Sequence, residues 1–289
     1  MVQTKKKFIV RQAETSDEGE LRFLLQRKSF IYRHLGWRSP LNWLGKQPFY
    51  LLEEENQGVV AALAFPRDED GSVWLRLFAV APGCSISLAW KRLWQAGLAW
   101  HQEYASESPI TSLATDPEME KLLLTAGFKE INQVISLVWD VTNARWPEVS
   151  KDFDLRKLGP DDISRCYQID RRAFKPIWRN TVSQLQTAYQ EAFYASVISL
   201  DGIVRGYQIS TTNPQGGHLA RLAVEPDFQR QGLGSKLLSD LLDRFFAAGI
   251  LDVSVNTQAD NQLSLDLYHK FGFVELPETY AVYQYPIVP

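Results

Sequence analysis

The sequence predicts an α/β protein that contains two similar domains, and three observations support this fold class. A chain of 289 residues is long for one hydrophobic core and sufficient for two domains of roughly 140 residues each. Segments with strand-like and helix-like patterns alternate along the chain. The second half also repeats landmarks of the first half after 144 or 145 residues, as expected for a tandem duplication.

The first half begins with a strand and a helix. Residues 8–11 alternate like a strand, and the Thr, Ser, Asp and Glu side chains of residues 15–18 can cap a helix. Glycines and prolines within residues 36–48 predict a loop or short turns. The later segments predict, in order, a hairpin of residues 49–53 and 59–65, a strand at 73–80, and helices at 88–100 and 118–125, the last of which stops at Gly127.

The repeat defines the expected domains. The matching pairs are Val10-Arg11 with Leu155-Arg156, Phe49-Tyr50 with Phe193-Tyr194, Ala79-Val80 with Ala223-Val224, and Gly127-Phe128 with Gly272-Phe273. We therefore expect a first domain at residues 1–140, a linker at 141–152 and a second domain at 153–289.

Composition excludes several classes of protein. A formal net charge of -3 without a basic stripe argues against a nucleic-acid partner. Cys84 and Cys166 match no metal-ligand spacing, so we expect neither a disulfide framework nor a metal site. No apolar run reaches the ~18 residues of a membrane span and no signal peptide is recognisable, which predicts a cytoplasmic protein with no membrane partner.

A strand, a glycine turn and a helix dominate the second half. A strand-like run at residues 218–224 precedes a helix that opens on Gly232-Leu233-Gly234. One apolar face of this helix is expected to contain Leu237, Leu238, Leu241, Leu242, Phe245 and Phe246. The unpaired N–H groups at its N-terminus suit a phosphate, although such a turn is often only a tight connection. An ungapped alignment places residues 85–90, which contain no glycine, opposite residues 229–234, so we expect the first half to be chemically silent.

The full pattern resembles a known family. The order A-V-x-P-x-x-Q-R-Q-G-L-G, a strand, and N-x-x-S-x-x-L-Y-x-K-x-G-F covers residues 153–289 and is similar to the acyl-coenzyme A binding core of the GNAT superfamily of N-acyltransferases. Residues 8–140 resemble the same fold with the signature lost. The resemblance implies two tandem GNAT-like domains, each with a mixed central β-sheet flanked by helices.

The resemblance also implies a cofactor site for acetyl-CoA, without a metal. The strand backbone would pair with the pantetheine arm, the glycine loop would hold the pyrophosphate, and an opening between this strand and the next would admit the cofactor. The implied cofactor-binding residues are Leu222, Ala223, Val224, Gln229, Arg230, Gln231, Gly232, Leu233, Gly234, Ser235, Asn261 and Tyr268.

Tyr268 occupies the family position that protonates the departing thiolate of coenzyme A, and the first half has Leu123 there. The alternative is a core tyrosine beneath Phe273. The general base is open among Glu225, His218 and a water relayed by either. On the acceptor side, Phe174 and Trp178 would form an apolar wall and Asp170 would attract an ammonium group, but aromatic residues at this spacing are also common in cores.

We therefore predict transfer of an acetyl group from acetyl-CoA directly to a primary amine of a small molecule or a peptide N-terminus. No covalent enzyme intermediate is expected, because neither cysteine lies in the motif. The alternative is a non-catalytic acyl-CoA sensor or interaction module. The oligomeric state is left between monomer and homodimer.

Overall fold

The computed structural model describes residues 7–105, 107–149 and 153–286, so residues 150–152 of the expected linker lie outside the described residues. The first half contains β1 Phe8–Gln12, α1 Glu18–Arg27, β2 Phe30–Arg33, β3 Phe49–Glu54, β4 Gly58–Ala64, β5 Val73–Trp74, β6 Leu77–Val80, α2 Ile86–Tyr104, β7 Ile110–Leu113, α3 Pro117–Ala126 and β8 Lys129–Asp140. The second half contains β9 Asp154–Lys157, α4 Ile163–Ala173, α5 Val182–Gln190, β10 Tyr194–Leu200, β11 Ile203–Asn213, β12 Gly216–Val224, α6 Leu233–Ala247, β13 Asp252–Gln258, α7 Gln262–Phe271 and β14 Val274–Tyr285. This mixture of strands and helices confirms the predicted α/β fold class.

The chain forms two compact units. The first contains the described residues up to Ile131 and those from Ala281 onward, and the second runs from Asn132 to Tyr280. Within the first unit the end of β14 pairs with β7, and within the second unit β8 pairs with β13. Each unit therefore takes one strand from the other half of the sequence, and for this reason the division differs from the boundary at residues 141–152 that the repeat alone suggests.

In the first unit, the main sheet has the order β1-β3-β4-β6-β2, and β5, β7 and the end of β14 pair separately. The strand expected at residues 73–80 is divided in two. Leu75 donates its N–H to the carbonyl of Thr111, whereas Arg76 donates to the carbonyl of Ala64. Consecutive residues thus bond to different neighbouring strands, and a single continuous strand is impossible. β2, which lies just before the expected loop, was not predicted.

In the second unit, the strands follow the order β8-β13-β12-β11-β10-β9, and β12 with β13 is the parallel pair of this sheet. Helix α6 packs on this sheet through its predicted apolar face. The leucines at 237, 238, 241 and 242 and Phe245 are fully buried. Phe246, which was placed on the same face, is instead 53% exposed. The face is therefore narrower than predicted, because residue 246 lies about 40° around the helix beyond Leu242, past the margin of the buried arc.

The strands β12 and β13 separate after a short paired stretch. Gly217–Leu219 pairs with Val253–Val255, and the pairing ends there. On the other edge of β12, the register with β11 shifts between Ile209 and Ser210, which leaves Ala220 as a bulged residue. A bulge increases the local twist and bends the strand. The predicted opening between these two strands is therefore confirmed.

Candidate functional site

A cleft of about 480 Å³ lies where β12 separates from β13. It is bordered by the end of β12, the loop before α6, the first turn of α6 and one side of α7. Its lining residues are Ala173, Phe174, Leu222, Ala223, Val224, Gln229, Arg230, Gly232, Gly234, Ser235, Asn261, Leu263, Ser264, Asp266, Leu267 and Lys270. The cleft has the size and the mixed polar and apolar lining of a small-molecule site.

The cleft brings together most of the predicted cofactor-binding residues. Exceptions are Gln231, which is exposed and donates to the carbonyl of Asp227 (3.2 Å), Leu233, which is 1% exposed and packs in the core, and Tyr268, which lies behind the lining. Sequence reasoning missed the residues from α7. Leu263, Leu267 and Lys270 recur at intervals of four and three, with Ser264 beside them, and this helical spacing after Asn261 was a signal that could have identified the face.

The backbone conformation requires glycine at position 232 but not at position 234. Gly232 has φ 97°, in the left-handed region that favours glycine, so the backbone itself requires it. Gly234 has no such constraint, and an added Cβ would meet the side chain of Leu267 at 3.4 Å, an ordinary contact. Packing would therefore tolerate a small side chain at 234, whereas a large one would extend into the cleft that this residue lines.

The helix that follows the glycine loop has no side-chain cap. Among the described residues, no side chain accepts a hydrogen bond at the N-terminus of α6, whereas the Ser85 side chain caps α2 by accepting from the N–H of Leu88. The N–H groups of an uncapped helix start and the positive end of its dipole suit an anion. Arg230, with φ 61°, lines the cleft beside them. At the start of α2 in the first unit, by contrast, the Ser85 side chain already accepts a hydrogen bond from a backbone N–H group.

The ungapped alignment of residues 85–90 with 229–234 is wrong. From Val80 to the helix cap at Ser85 is 5 residues, whereas from Val224 to the cap at Gly232 is 8. The first-half loop is therefore shorter by three residues, and Ser85 is the equivalent of Gly232. Trp90 lies inside α2, where it is 4% exposed and stacks on Trp94 at 5.6 Å.

Beyond Leu219, the edge of β12 on the side of β13 has no strand partner, whereas the corresponding edge of β6 is paired. In the first unit β2 pairs with the whole of β6, and the carbonyl of Val80 accepts a hydrogen bond from the N–H of Ser29 (2.9 Å). In the second unit, no described strand pairs with β12 on this edge beyond Leu219. The unpredicted strand β2 thus occupies in the first unit the place that an extended ligand could take in the second.

Tyr268 lies in α7 directly behind the cleft lining and is 5% exposed. Its ring packs on Phe273, with ring centroids 5.5 Å apart. Burial raises the pKa of the Tyr268 phenol above its ordinary value, so the group stays protonated at neutral pH. Its position is compatible with both interpretations of the sequence, a core residue and a proton donor.

Glu225 is a poor candidate for the general base. Its side chain is 3% exposed and is paired with Arg165 (2.7 Å), Arg205 (2.9 Å) and Arg172. Burial alone would raise the pKa of Glu225, but Arg205, Arg165 and Arg172 outweigh it and the pKa is lowered. A carboxylate held by three guanidinium groups has little tendency to take a proton. The structure instead gives Glu225 the role of joining the start of the loop to α4 and β11.

His218 lies near the bulge of β12. Its Nδ1 is hydrogen-bonded to the Ser254 hydroxyl at 2.9 Å, and burial lowers the pKa of its imidazole. The ring is therefore neutral at pH 7, but it is not among the residues that line the cleft.

Asp170 does not offer a free charge to an acceptor. It is fully buried and accepts hydrogen bonds from the Tyr207 hydroxyl (2.6 Å), the Arg221 Nε (2.8 Å) and the backbone N–H of Asn180 (2.9 Å). The expectation that Asp170 attracts an ammonium group is not supported, since its charge is already matched by Arg221. Phe174 lines the cleft as expected, whereas Trp178 lies outside the lining and accepts from Arg221 through its carbonyl (2.8 Å).

The described residues contain no candidate metal site and no candidate membrane span. There, no group of three or more His, Cys, Asp or Glu side chains could hold a metal ion, and no helix is long and apolar enough to cross a membrane.

Comparison with known proteins gives a consistent result. Residues 163–273 match the profile of the acetyltransferase (GNAT) family. The [ribosomal protein bS18]-alanine N-acetyltransferase of Escherichia coli K12 is 27% identical over 121 residues, which is 42% of this chain and 80% of that protein. An uncharacterized N-acetyltransferase of Methanocaldococcus jannaschii is 28% identical over 131 residues, 44% of this chain and 83% of that protein.

Two solved structures share the fold over nearly the whole chain. A GCN5-related N-acetyltransferase from Sphaerobacter thermophilus has a TM-score of 0.62 at 16% identity and covers 98% of this chain and 96% of its own. A tandem GNAT protein from the clavulanic acid biosynthesis pathway has a TM-score of 0.60 at 14% identity, with 99% of both chains covered. Residues 163–273 are therefore similar to the GNAT family of acetyltransferases, and the whole chain shares the fold of a tandem GNAT protein.

Proposed function

We propose that the protein is an acetyl-CoA-dependent N-acetyltransferase whose catalytic unit is the second one. The observation that carries the proposal is the open edge of β12 at Leu222–Val224, which faces the uncapped start of α6 across the cleft. The similarity of residues 163–273 to the family supports this assignment.

The chain's own groups fit a coenzyme A thioester. The edge of Leu222 to Val224 that does not pair with β11 can hydrogen-bond an extended amide-bearing arm as an added strand would. The N–H groups around Gly232 and Gly234 can hold a diphosphate, with Arg230 adding a charge-assisted contact. Gly234 leaves room for that approach, since a large side chain there would fill the cleft. Bound acetyl-CoA would supply the activated acetyl group.

Tyr268 is proposed as the general acid. Its raised pKa keeps the proton on the phenol oxygen until a thiolate leaves the acetyl group. For the opposite proton transfer, we propose a water molecule as the base that receives the proton of the attacking amine. Glu225 is committed to three arginines and His218 lies outside the cleft lining.

For the acceptor, we propose a primary amine, with a peptide N-terminus as the first class to test. The E. coli relative is named for acetylating the alanine of a ribosomal protein. The neutralised Asp170 supports an acceptor with one amine rather than a polycation, because polycations are usually held by free carboxylates.

The proposal is tested by incubating the full chain with acetyl-CoA and a panel of peptides with N-terminal Ala, Ser or Gly, together with spermidine and a small aminoglycoside. We expect transfer to a peptide amine, detected by mass, and release of free coenzyme A thiol. Acetyl-CoA binding without transfer to any amine of the panel would instead favour the non-catalytic sensor. Absence of acetyl-CoA binding would contradict both functions.

A further inference from the structure

Arg221 connects β12 to α4 and to the segment Phe174–Trp178 that follows α4. It lies in β12, between the bulged Ala220 and the open edge that begins at Leu222. Its Nε donates to Asp170 (2.8 Å), and one Nη donates to the carbonyl of Trp178 (2.8 Å). Its guanidinium carbon lies 3.5 Å from the centre of the Phe174 ring. One side chain therefore contacts α4 at Asp170 and the following segment at Phe174 and Trp178.

The segment is organised around the same ion pair. The second oxygen of Asp170 accepts from the N–H of Asn180, and the Arg179 Nε donates to the carbonyl of Phe174 (3.1 Å). Pro176–Trp178 forms a short 3-10 turn between these contacts, so little regular secondary structure holds it in place. The position of the Phe174 ring in the cleft thus depends on side-chain contacts, and Arg221 makes two of them, to the Phe174 ring and to the Trp178 carbonyl.

We propose that Arg221 is a positioning residue that holds the Phe174–Trp178 segment as the acceptor wall beside the thioester. This inference rests on the proposed acetyl transfer and adds a residue and a role to it. A lysine cannot replace this arginine, because only the planar guanidinium can pair with a carboxylate, donate to a carbonyl and stack on a ring at once. Arg221 does not itself touch the open backbone edge of Leu222–Val224, so cofactor binding is separable from its role.

The test is Arg221→Lys in the full chain, with Arg156→Lys as the matched control. Arg156 makes a comparable two-pronged pair with Asp162 (2.7 and 2.8 Å) in the same unit, but its hydrogen bonds go to Asp162 and Lys157 and not to the segment after α4. For Arg221→Lys we expect the acceptor KM for an N-terminal alanine peptide to rise about tenfold, the usual effect of losing a hydrogen bond to a charged group. The dissociation constant for acetyl-CoA is expected to stay within about twofold, as one lost contact outside that surface adds little. The control should change neither quantity.

A second readout does not depend on finding the acceptor. Hydrogen exchange of the peptide that covers residues 174–181 is expected to become about tenfold faster in Arg221→Lys and to stay unchanged in Arg156→Lys. Phe174→Leu keeps the ion pair and removes only the ring, so it should raise the acceptor KM while leaving this exchange slow. If wild type transfers nothing to peptides, the acceptor class is wrong, and hydrogen exchange still decides the role of Arg221. Unchanged exchange together with an unchanged acceptor KM in Arg221→Lys would overturn the proposal.

Discussion

At the scale of single residues, the chemistry of a side chain was predictable but its partners were not. Tyr268 was singled out by its position in the motif that resembles the GNAT family. The duplicated half has Leu123 at the same position of its helix, and both are buried. By residue type and position in the sequence, Glu225 was a reasonable candidate for the general base and Asp170 for binding an ammonium group. Their roles depended on five arginine and tyrosine partners that lie 20 to 60 residues away along the chain. Such long-range pairs leave no periodic signal in a single sequence.

Tyr268→Phe removes the proposed proton donor and keeps the ring that packs on Phe273. We expect kcat to fall about 100-fold, as is typical for loss of a general acid, with acetyl-CoA binding retained. Steady-state kinetics from pH 7 to 9 measures this effect. Tyr283→Phe, which removes a phenol that donates to Glu120 in the first unit, should behave like wild type. Equal rates for Tyr268→Phe and wild type across this range would remove Tyr268 from the mechanism.

Glu225→Gln distinguishes a structural carboxylate from a catalytic base. The folded-state pKa of Glu225 is lowered, so its charge stabilises the fold above the unfolded pKa and this stabilisation is lost as pH falls through the folded pKa. We expect the variant to lose about 2 kcal/mol of unfolding free energy at pH 7, because the arginines lose a buried partner. The difference from wild type should shrink below about pH 4.5. Denaturant unfolding of the variant and of wild type at pH 7 and below about pH 4.5 measures this difference in stability. A variant with full stability but abolished kcat would instead show that Glu225 acts as the general base.

At the scale of elements, the amphipathic pattern located the helices and strands, and hydrogen bonds to neighbouring strands determined their ends. The helix periods of α2, α3 and α6 were clear because each buries one face on a sheet. The division between β5 and β6 was not visible, because it arises from bonds to two different strands. The loop before α2 is three residues shorter than the loop before α6. The sequence hid this difference, because the separation between matching residues of the two halves returns to 145 after these helices.

Gly234 tests the proposed pyrophosphate position in the first turn of α6. Gly234→Ala fits without close contacts and should keep acetyl-CoA binding, whereas Gly234→Trp should fill the cleft and abolish it. Thermal unfolding with and without acetyl-CoA provides the measurement. Acetyl-CoA at 100 times its dissociation constant should raise the unfolding free energy of wild type by about 2.7 kcal/mol. A thermal shift that persists in a folded Gly234→Trp variant would show that the pyrophosphate lies elsewhere.

At the scale of the whole molecule, the two units share a fold and differ at one edge. β2 pairs along β6, and Ser85 caps α2, so the first unit satisfies internally the groups that the second unit leaves available. The glycine signature alone therefore does not account for the difference. The first unit would remain closed to an added strand even if the glycines were restored.

This comparison predicts one acetyl-CoA per chain. We expect isothermal titration of the full chain to give a single site, and Gly234→Trp to remove it entirely, because β2 occupies the edge of β6 that corresponds to the open edge of β12. A stoichiometry near two, or residual binding in the variant, would mean that β2 can leave the edge of β6.

The sequence by itself determined the duplication, the α/β class and the helix-opening loop of the second half, because each leaves a local pattern of apolar spacing and glycines. The exchange of β8 and β14 between the units, the closure of β6 by β2, and the neutralisation of Asp170 and Glu225 were decided only by the tertiary structure. All of these depend on which distant segments meet. Strand pairing and ion pairing are satisfied by any partner of the right geometry, and the choice of partner becomes defined only when the whole chain has folded.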